Sequence, residues 1–186
     1  ENCTFRYNRE AGLIMYGDSV RVENCMFEKN ETGIRDGVEF FNADFFIEGC
    51  TFLKNTNGAF LGGGGRFSRP TYFFDKCGFL FNSNPDYESG SAIGHFSING
   101  GSTTYLSNCL FRGNNHNTIS YYLFEGGGTL NITGTVFRGN NGWNVINLYG
   151  IDSDFRLNTE KTNFLNNYSQ HGGTVAGLYC LDTRVR

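Results

Sequence analysis

Few features of this 186-residue sequence favour helices or membrane insertion. It has only 2 prolines, 2 methionines and 1 tryptophan, alanine is scarce, and charged residues make up 18% of the chain. The shortage of strong helix formers argues against a helical bundle or a coiled coil. No apolar run approaches the roughly 18 residues that a membrane-spanning helix needs. The net charge of −3 provides no basic surface for nucleic acid. We therefore expect no nucleic-acid partner and no membrane insertion by this segment.

The abundant residues are those that form strands and turns. The chain has 26 glycines, 19 phenylalanines and 10 tyrosines, and aromatic residues make up 16% of it. This much aromatic mass argues against disorder, because it is enough to build a core. The length suits one folding unit, so we treat residues 1–186 as a single segment.

A short unit, Asn-Cys-x-Phe-x-x-Asn, recurs along the whole chain. Its seven copies keep phenylalanine and asparagine three residues apart, and neighbouring copies lie 22 to 32 residues apart. The phenylalanines are Phe5, Phe27, Phe52, Phe79, Phe111, Phe137 and Phe164. The asparagines are Asn8, Asn30, Asn55, Asn82, Asn114, Asn140 and Asn167. The cysteines are Cys3, Cys25, Cys50, Cys77 and Cys109, and the last two copies carry Thr135 and Thr162 instead.

Each repeat has room for three short strands. An alternating stretch such as residues 20–23 precedes the cysteine, and a second apolar segment such as Gly33-Ile34 follows the asparagine. In the sixth repeat the alternation at Phe155-Arg156-Leu157 is displaced by about two residues, which predicts a bulge or a longer turn. A unit this short buries its apolar face only by stacking on its neighbours. We predict an all-β, right-handed, single-stranded parallel β-helix of about seven coils with three short strands each.

The repeated positions have structural roles in this fold. Cysteine and phenylalanine, two residues apart, point into the coil, where the phenylalanines stack as a core. The asparagines lie where the strand turns, in a left-handed conformation that asparagine tolerates, and their amides hydrogen-bond from coil to coil. We therefore interpret both sets as structural ladders.

The cysteines do not suggest a metal or redox site. There is no Cys-x-x-Cys spacing and no cysteine close to a histidine, so we expect no metal and no cofactor. Buried free thiols and disulfides between neighbouring coils both remain possible, and the threonines at two positions favour the thiols. Cys180 lies off the column and is either free or paired elsewhere.

Four Asn-x-Ser/Thr sequons are candidate glycosylation sites: Asn2, Asn30, Asn131 and Asn167. Asn131 lies on an outward strand position and is the best acceptor. At Asn30 and Asn167 a glycan would compete with the asparagine ladder.

No arrangement of residues predicts catalysis. Glu23, Glu48 and Asp75 repeat at one outward position, which indicates a solvated face, and Asp152 and Asp154 are the one close pair, in a predicted turn. The histidines His95, His116 and His171 are isolated, and the predicted turn at residues 62–65 has no following lysine to make a phosphate loop. We identify no catalytic residue and expect no enzyme.

The Phe-x-x-Asn unit is combined with segments similar to Gly-Gly-Ala-Ile. They are Asn57-Gly58-Ala59-Phe60, Gly90-Ser91-Ala92-Ile93, Gly127-Gly128-Thr129-Leu130 and Gly172-Gly173-Thr174-Val175. This combination resembles the polymorphic outer-membrane protein repeats of chlamydial autotransporters, and related repeats occur in surface proteins of other bacteria and of protists. The resemblance implies an extracellular β-helix that serves adhesion or surface architecture.

The two ends of the chain resemble an internal repeat. Residues 183–186 followed by residues 1–3 nearly reproduce residues 19–25. We expect further β-helix coils at both ends, in the same chain or in identical subunits stacked into a filament.

Two functions follow from the sequence. The first is an extracellular structural or adhesive β-solenoid at the cell surface, which presents long turns at residues 83–90 and 97–102 to host-surface or glycan ligands. The second is a carbohydrate-binding or polysaccharide-cleaving β-helix.

Overall fold

The fold was obtained as a computed structural model. It describes residues 1–36, 42–64, 69–85, 90–98, 100–124, 126–151, 153–169, 176–181 and 184–185. Within these ranges there is no helix, and every strand pairing is parallel. The predicted all-β class and the parallel β-solenoid are confirmed.

The strands are short and follow one another at regular intervals. Strands β1 to β8 span Thr4–Arg6, Ala11–Met15, Ser19–Glu23, Met26–Glu28, Thr32–Asp36, Asp44–Glu48, Thr51–Leu53 and Phe60–Gly64. Strands β9 to β16 span Thr71–Asp75, Gly78–Leu80, Ile93–Ile98, Gly101–Ser107, Leu110–Arg112, Ile119–Phe124, Gly127–Thr133 and Val136–Arg138. Strands β17 to β23 span Asn141–Gly142, Ile146–Ile151, Asp154–Glu160, Asn163–Leu165, Tyr168–Ser169, Ala176–Leu181 and Arg184–Val185.

Three long parallel sheets enclose the core. Sheet A contains β1, β4, β7, β10, β13, β16 and β20; sheet B contains β2, β5, β8, β11, β14, β18 and β22; sheet C contains β3, β6, β9, β12, β15, β19 and β23. A further pair, β17 and β21, forms a small sheet that the repeat did not predict. Side chains that point inward from the three sheets meet in one continuous apolar core.

Sharp corners connect the sheets, and here one prediction is wrong. Ladder asparagines such as Asn30 and Asn55 do not adopt the left-handed conformation. The residue before each of them adopts it instead, with φ of +54° at Lys29 and +55° at Lys54. The exposed residue makes the turn. The asparagine that follows it thereby directs its amide into the protein, where Asn30 and Asn55 are fully buried.

The expected bulge in the sixth repeat is also wrong. Strand β19 pairs with β15 in unbroken register from Asp154 to Glu160. Phe155 lies opposite Gly128, and a Cβ on Gly128 would come within 3.0 Å of the Phe155 ring. Glycine therefore makes room for the ring. The apolar alternation looked displaced in the sequence because the polar Thr159 takes the register position that the apolar Ile132 holds in the preceding turn.

Two predicted turns overlap strands, and one predicted motif copy lies in a different sheet. Gly62, which was predicted to lie in a turn, belongs to strand β8. Residues 97–98 end strand β11 and residues 101–102 begin strand β12, so the predicted long turn at residues 97–102 is wrong. The segment 127–130 lies in sheet C, whereas Phe60 and Ile93 pair in sheet B. It is therefore not a copy of the second motif. The copy at residues 172–175, and residues 86–89 of the other predicted turn, lie outside the described residues.

Candidate functional site

The seven repeat phenylalanines form one stack inside the solenoid. Successive ring centroids lie 4.6 to 5.1 Å apart, and the ring planes differ by 3 to 11°. Stacked aromatic pairs contribute about 0.5–1.5 kcal/mol each beyond the area they bury. The inner rings are fully buried, while Phe5 and Phe164 are half-buried. This stack packs each turn of the solenoid against the next.

The ladder asparagines lie beside this stack and bond in two directions. The Asn82 amide donates to the carbonyl of Phe52 at 3.1 Å and to the side-chain oxygen of Asn114 at 3.1 Å. The Asn82 oxygen in turn accepts the backbone N–H and the amide of Asn55, both at 3.0 Å. Because these polar atoms are all used within the protein, the Asn82 side chain has a structural role.

The cysteine column is a line of free thiols. Cys25, Cys50, Cys77 and Cys109 are buried, and Cys3 is exposed. Each buried thiol lies within hydrogen-bonding distance of the carbonyl two residues earlier, and those of Cys50, Cys77 and Cys109 also reach a carbonyl of the preceding turn. The Cys77 sulfur lies 3.4 Å from the Asp75 oxygen and 3.2 Å from the Ile47 oxygen. They therefore hydrogen-bond as well as pack, which the sequence did not predict.

Threonine makes the same contacts at the two positions that lack cysteine. Thr162 donates its hydroxyl to Glu160 at 3.0 Å and to Ile132 at 3.2 Å. This shared geometry explains why the column accepts either residue. The Cys77 thiol beside Cys50, together with burial, raises the pKa of Cys50 far above the ordinary value for cysteine. Such thiols are poor nucleophiles.

The four sequons lie in different environments. Asn2 is exposed, and Asn131 is half-buried on the outer face of sheet C, where its oxygen accepts the Asn158 amide at 2.8 Å. The amides of Asn30 and Asn167 donate to the carbonyls of Phe5 and Phe137 at 3.0 Å each. Folding thus leaves Asn2 and Asn131 as the accessible acceptors.

The repeated carboxylates form a column on the outer face of sheet C. Glu23, Glu48 and Asp75 lie in register. Arg21 pairs with both glutamates, and Lys76 contacts Glu48 at 3.4 Å and Asp75 at 3.1 Å. In the described part of the chain no cluster of three or more histidine, cysteine or acidic residues could hold a metal. Asp152 and His171 lie outside the described residues.

A buried polar cluster, which the sequence did not predict, lies within the core. His95 lies between the rings of Tyr72 and Tyr121, with centroids 5.8 and 5.3 Å away. Tyr72 donates to Asp36 at 2.6 Å, and Tyr121 donates to Thr104. Gly62 lies opposite His95 in sheet B, and a Cβ on Gly62 would come within 2.9 Å of the Tyr72 hydroxyl. Gly62 thus leaves space for that hydroxyl.

Burial has a large effect on the titration of this cluster. Neither ring nitrogen of His95 has a partner among the described residues. Burial lowers the pKa of His95 to about 3 and raises the pKa values of Tyr72 and Tyr121. The imidazole is therefore neutral at physiological pH. The signal was present in the sequence, since His95 lies two residues after the inward-facing Ile93.

A second missed feature is an aromatic strip on the outer face of sheet C, formed by Phe46, Phe73 and Tyr105. Their rings stack at 4.8 and 5.0 Å with planes 3° apart. The continuous apolar run at residues 45–47 indicated it, because a half-buried strand has apolar side chains on alternate positions only.

Comparison with known proteins adds no assignment. No protein-family model matches the chain, and no curated protein is detectably similar to it. Among the described residues there is no helix long and apolar enough to cross a membrane.

Proposed function

We propose that this chain is a structural and adhesive segment of an extracellular β-solenoid protein at the cell surface. The observation that carries the proposal is the asparagine ladder. Hydrogen bonds from one side chain to the next join Asn55 to Asn82, Asn82 to Asn114, Asn114 to Asn140 and Asn140 to Asn167. Together with the phenylalanine stack, the ladder gives a rod that resists bending and local opening.

The finer architecture is part of the same proposal. We take the solenoid to be right-handed, with about seven coils of three strands, which the three seven-stranded parallel sheets support. The repeat resemblance to chlamydial polymorphic outer-membrane proteins supports the surface role. Sites for glycans at Asn2 and Asn131 are compatible with an extracellular location.

The open edges of the outermost strands favour pairing with further β-helix coils. Among the strands of the described residues, β1, β2 and β3 each have a neighbour along one edge only, and Phe5 is half-buried where Phe27 is fully buried. Open parallel edges of this kind are templates for further strands. We propose that these coils belong to the same protein or to an identical subunit.

Surface labelling of source cells tests this function. An antibody raised against the folded chain should stain intact cells, while an antibody against an abundant internal protein should stain only after permeabilisation. If the antibody against this chain also needs permeabilised cells, the extracellular role is wrong.

We propose no catalytic role. In the described residues no observation favours polysaccharide cleavage over binding, since the aligned carboxylates Glu48 and Asp75 share the ammonium group of Lys76. Carbohydrate binding has a specific observation in its favour, the aromatic strip.

A further inference from the structure

The aromatic strip lies at the centre of a flat outer face. In register beside it on one side are Thr71, Thr103 and Thr129. On the other side the acidic column continues into Ser107 and Thr133. Neighbouring rungs repeat at about 4.8 Å, the spacing of paired strands. The outward side chains therefore form rows along the axis, and the residue types within a row change from turn to turn.

Tyr105 is the last ring of the aromatic strip. One face of its ring stacks on Phe73. The next residue in the column is Asn131, whose side chain is shorter than a ring and covers less of the opposite face, and Tyr105 is 40% exposed. Aromatic faces carry negative charge, which attracts the weakly positive C–H groups of a sugar ring.

The groups around Tyr105 suit sugar hydroxyls. Thr103 and Thr129 lie half-buried on adjacent rungs, and Asn131 lies directly over the ring position. Hydroxyls and amides both donate and accept hydrogen bonds, as sugar hydroxyls do. An apolar surface with a few placed polar groups is the usual composition of a ligand site.

The charges near the aromatic strip select among polysaccharides. Glu23, Asp44, Glu48 and Asp75 lie on this face with Arg21 and Lys76, and the face continues beyond Thr129 and Thr133 with Arg156 and Glu160. The excess of carboxylates repels acidic polymers.

We propose that the outer face of sheet C binds a neutral polysaccharide, with one sugar against the exposed part of the Tyr105 ring. This inference goes beyond the proposed scaffold function and does not require it. A failure of surface labelling would leave the binding test unaffected, and the reverse is also true.

Affinity electrophoresis of the full chain tests the proposal. The protein is made in a bacterial host, so that Asn131 carries no glycan, and run in gels containing hydroxyethyl cellulose, galactomannan or heparin. We expect at least one neutral polymer to retard the protein and heparin to have no effect. Tyr105→Ala should weaken the retardation by about tenfold, the equivalent of losing one stacking contact.

Two further variants separate binding from folding. Thr129→Val keeps the β-branched shape, removes the hydroxyl and should weaken retardation severalfold. Tyr16→Ala removes a tyrosine that is 71% exposed and away from the aromatic strip, and it should bind as the unaltered chain does. The proposal is overturned if neither neutral polymer retards the protein, if heparin alone does, or if Tyr105→Ala and Thr129→Val both bind like Tyr16→Ala.

Discussion

The side-chain amide of Asn55 donates to the side-chain oxygen of Asn82 at 3.0 Å, 27 residues further along the chain. The same Asn82 oxygen accepts the backbone N–H of Asn55 at 3.0 Å. One side chain therefore satisfies two buried donors of the preceding turn. An interior position with this much internal bonding is costly to alter, because each orphaned group loses its partner without regaining water.

Asn82→Ala should destabilise the protein strongly. The substitution leaves the Asn55 N–H, the Asn55 amide and the Phe52 carbonyl without their Asn82 partner. The Asn55 amide keeps its hydrogen bond to the Phe27 carbonyl, so at about 1–3 kcal/mol for each buried unsatisfied group we expect the free energy of unfolding to fall by about 2 kcal/mol or more. Urea denaturation followed by circular dichroism measures the change.

Asn163→Ala is the matched control for that substitution. Asn163 lies in β20, the strand that leads to the ladder residue Asn167, but it is exposed, so its replacement should change the free energy of unfolding by less than about 0.5 kcal/mol. Equal effects of the two substitutions would show that the ladder is not a source of stability.

Replacing Cys77 by threonine should leave the protein more stable than replacing it by valine. Thr162 donates to the carbonyl two residues earlier, as Cys77 does, so Cys77→Thr should keep that hydrogen bond. Cys77→Val has the same shape without the donor, and it should be less stable than Cys77→Thr by about 1 kcal/mol. The urea midpoints of the two variants provide the comparison, and a valine variant as stable as the threonine variant would contradict the bonding role.

Alkylation should separate the cysteines by burial. In the folded protein, iodoacetamide should modify the exposed Cys3 and leave Cys25, Cys50, Cys77 and Cys109 unmodified. Burial keeps these four thiols out of reach of the reagent. Peptide mapping by mass spectrometry after native and denatured labelling makes the test. Rapid native modification of Cys50 or Cys77 would be incompatible with this packing.

The buried histidine should make the protein sensitive to acid. The folded-state pKa of His95 is about 3, well below the ordinary value of 6.5. The unfolded chain therefore takes up a proton first, so stability is complete above pH 6.5 and is lost progressively as the pH falls toward 3. At pH 5 the loss from His95 alone is about 2 kcal/mol.

His95→Phe isolates that contribution. The groups that face His95 are Tyr72 and Tyr121, with Asp36 bonded to Tyr72, and the substitution leaves all three in place. Between pH 7.5 and pH 5 the variant should lose about 2 kcal/mol less free energy of unfolding than the unaltered chain. Identical losses, measured by urea denaturation at both pH values, would show that His95 is not the acid-sensitive group.

The fold could be predicted from the sequence because the residues that indicate it recur at regular intervals. Phe27, Phe52 and Phe79 recur in one motif, and a repeat with an apolar face that it cannot bury alone has stacking as its natural solution. The details that failed involve pairs of residues distant in sequence. Neither the glycine at position 128 nor the phenylalanine at position 155 indicates by itself that one makes room for the other.

The candidate sites depended on contacts between turns, which a linear motif does not reveal. His95 looked isolated because Tyr72 and Tyr121 are more than twenty residues away in the sequence and meet it only across the core. Phe46, Phe73 and Tyr105 became a single strip only through the register of sheet C.

The central claim is that equivalent side chains of successive turns stack directly over one another. Nuclear Overhauser spectroscopy on protein with labelled phenylalanine rings tests it most directly. Ring centroids of Phe27 and Phe52 lie 5.1 Å apart, and those of Phe52 and Phe79 lie 4.9 Å apart. We predict ring cross-peaks for both of these pairs and none between Phe27 and Phe79. The absence of cross-peaks between Phe52 and either neighbour would contradict the account.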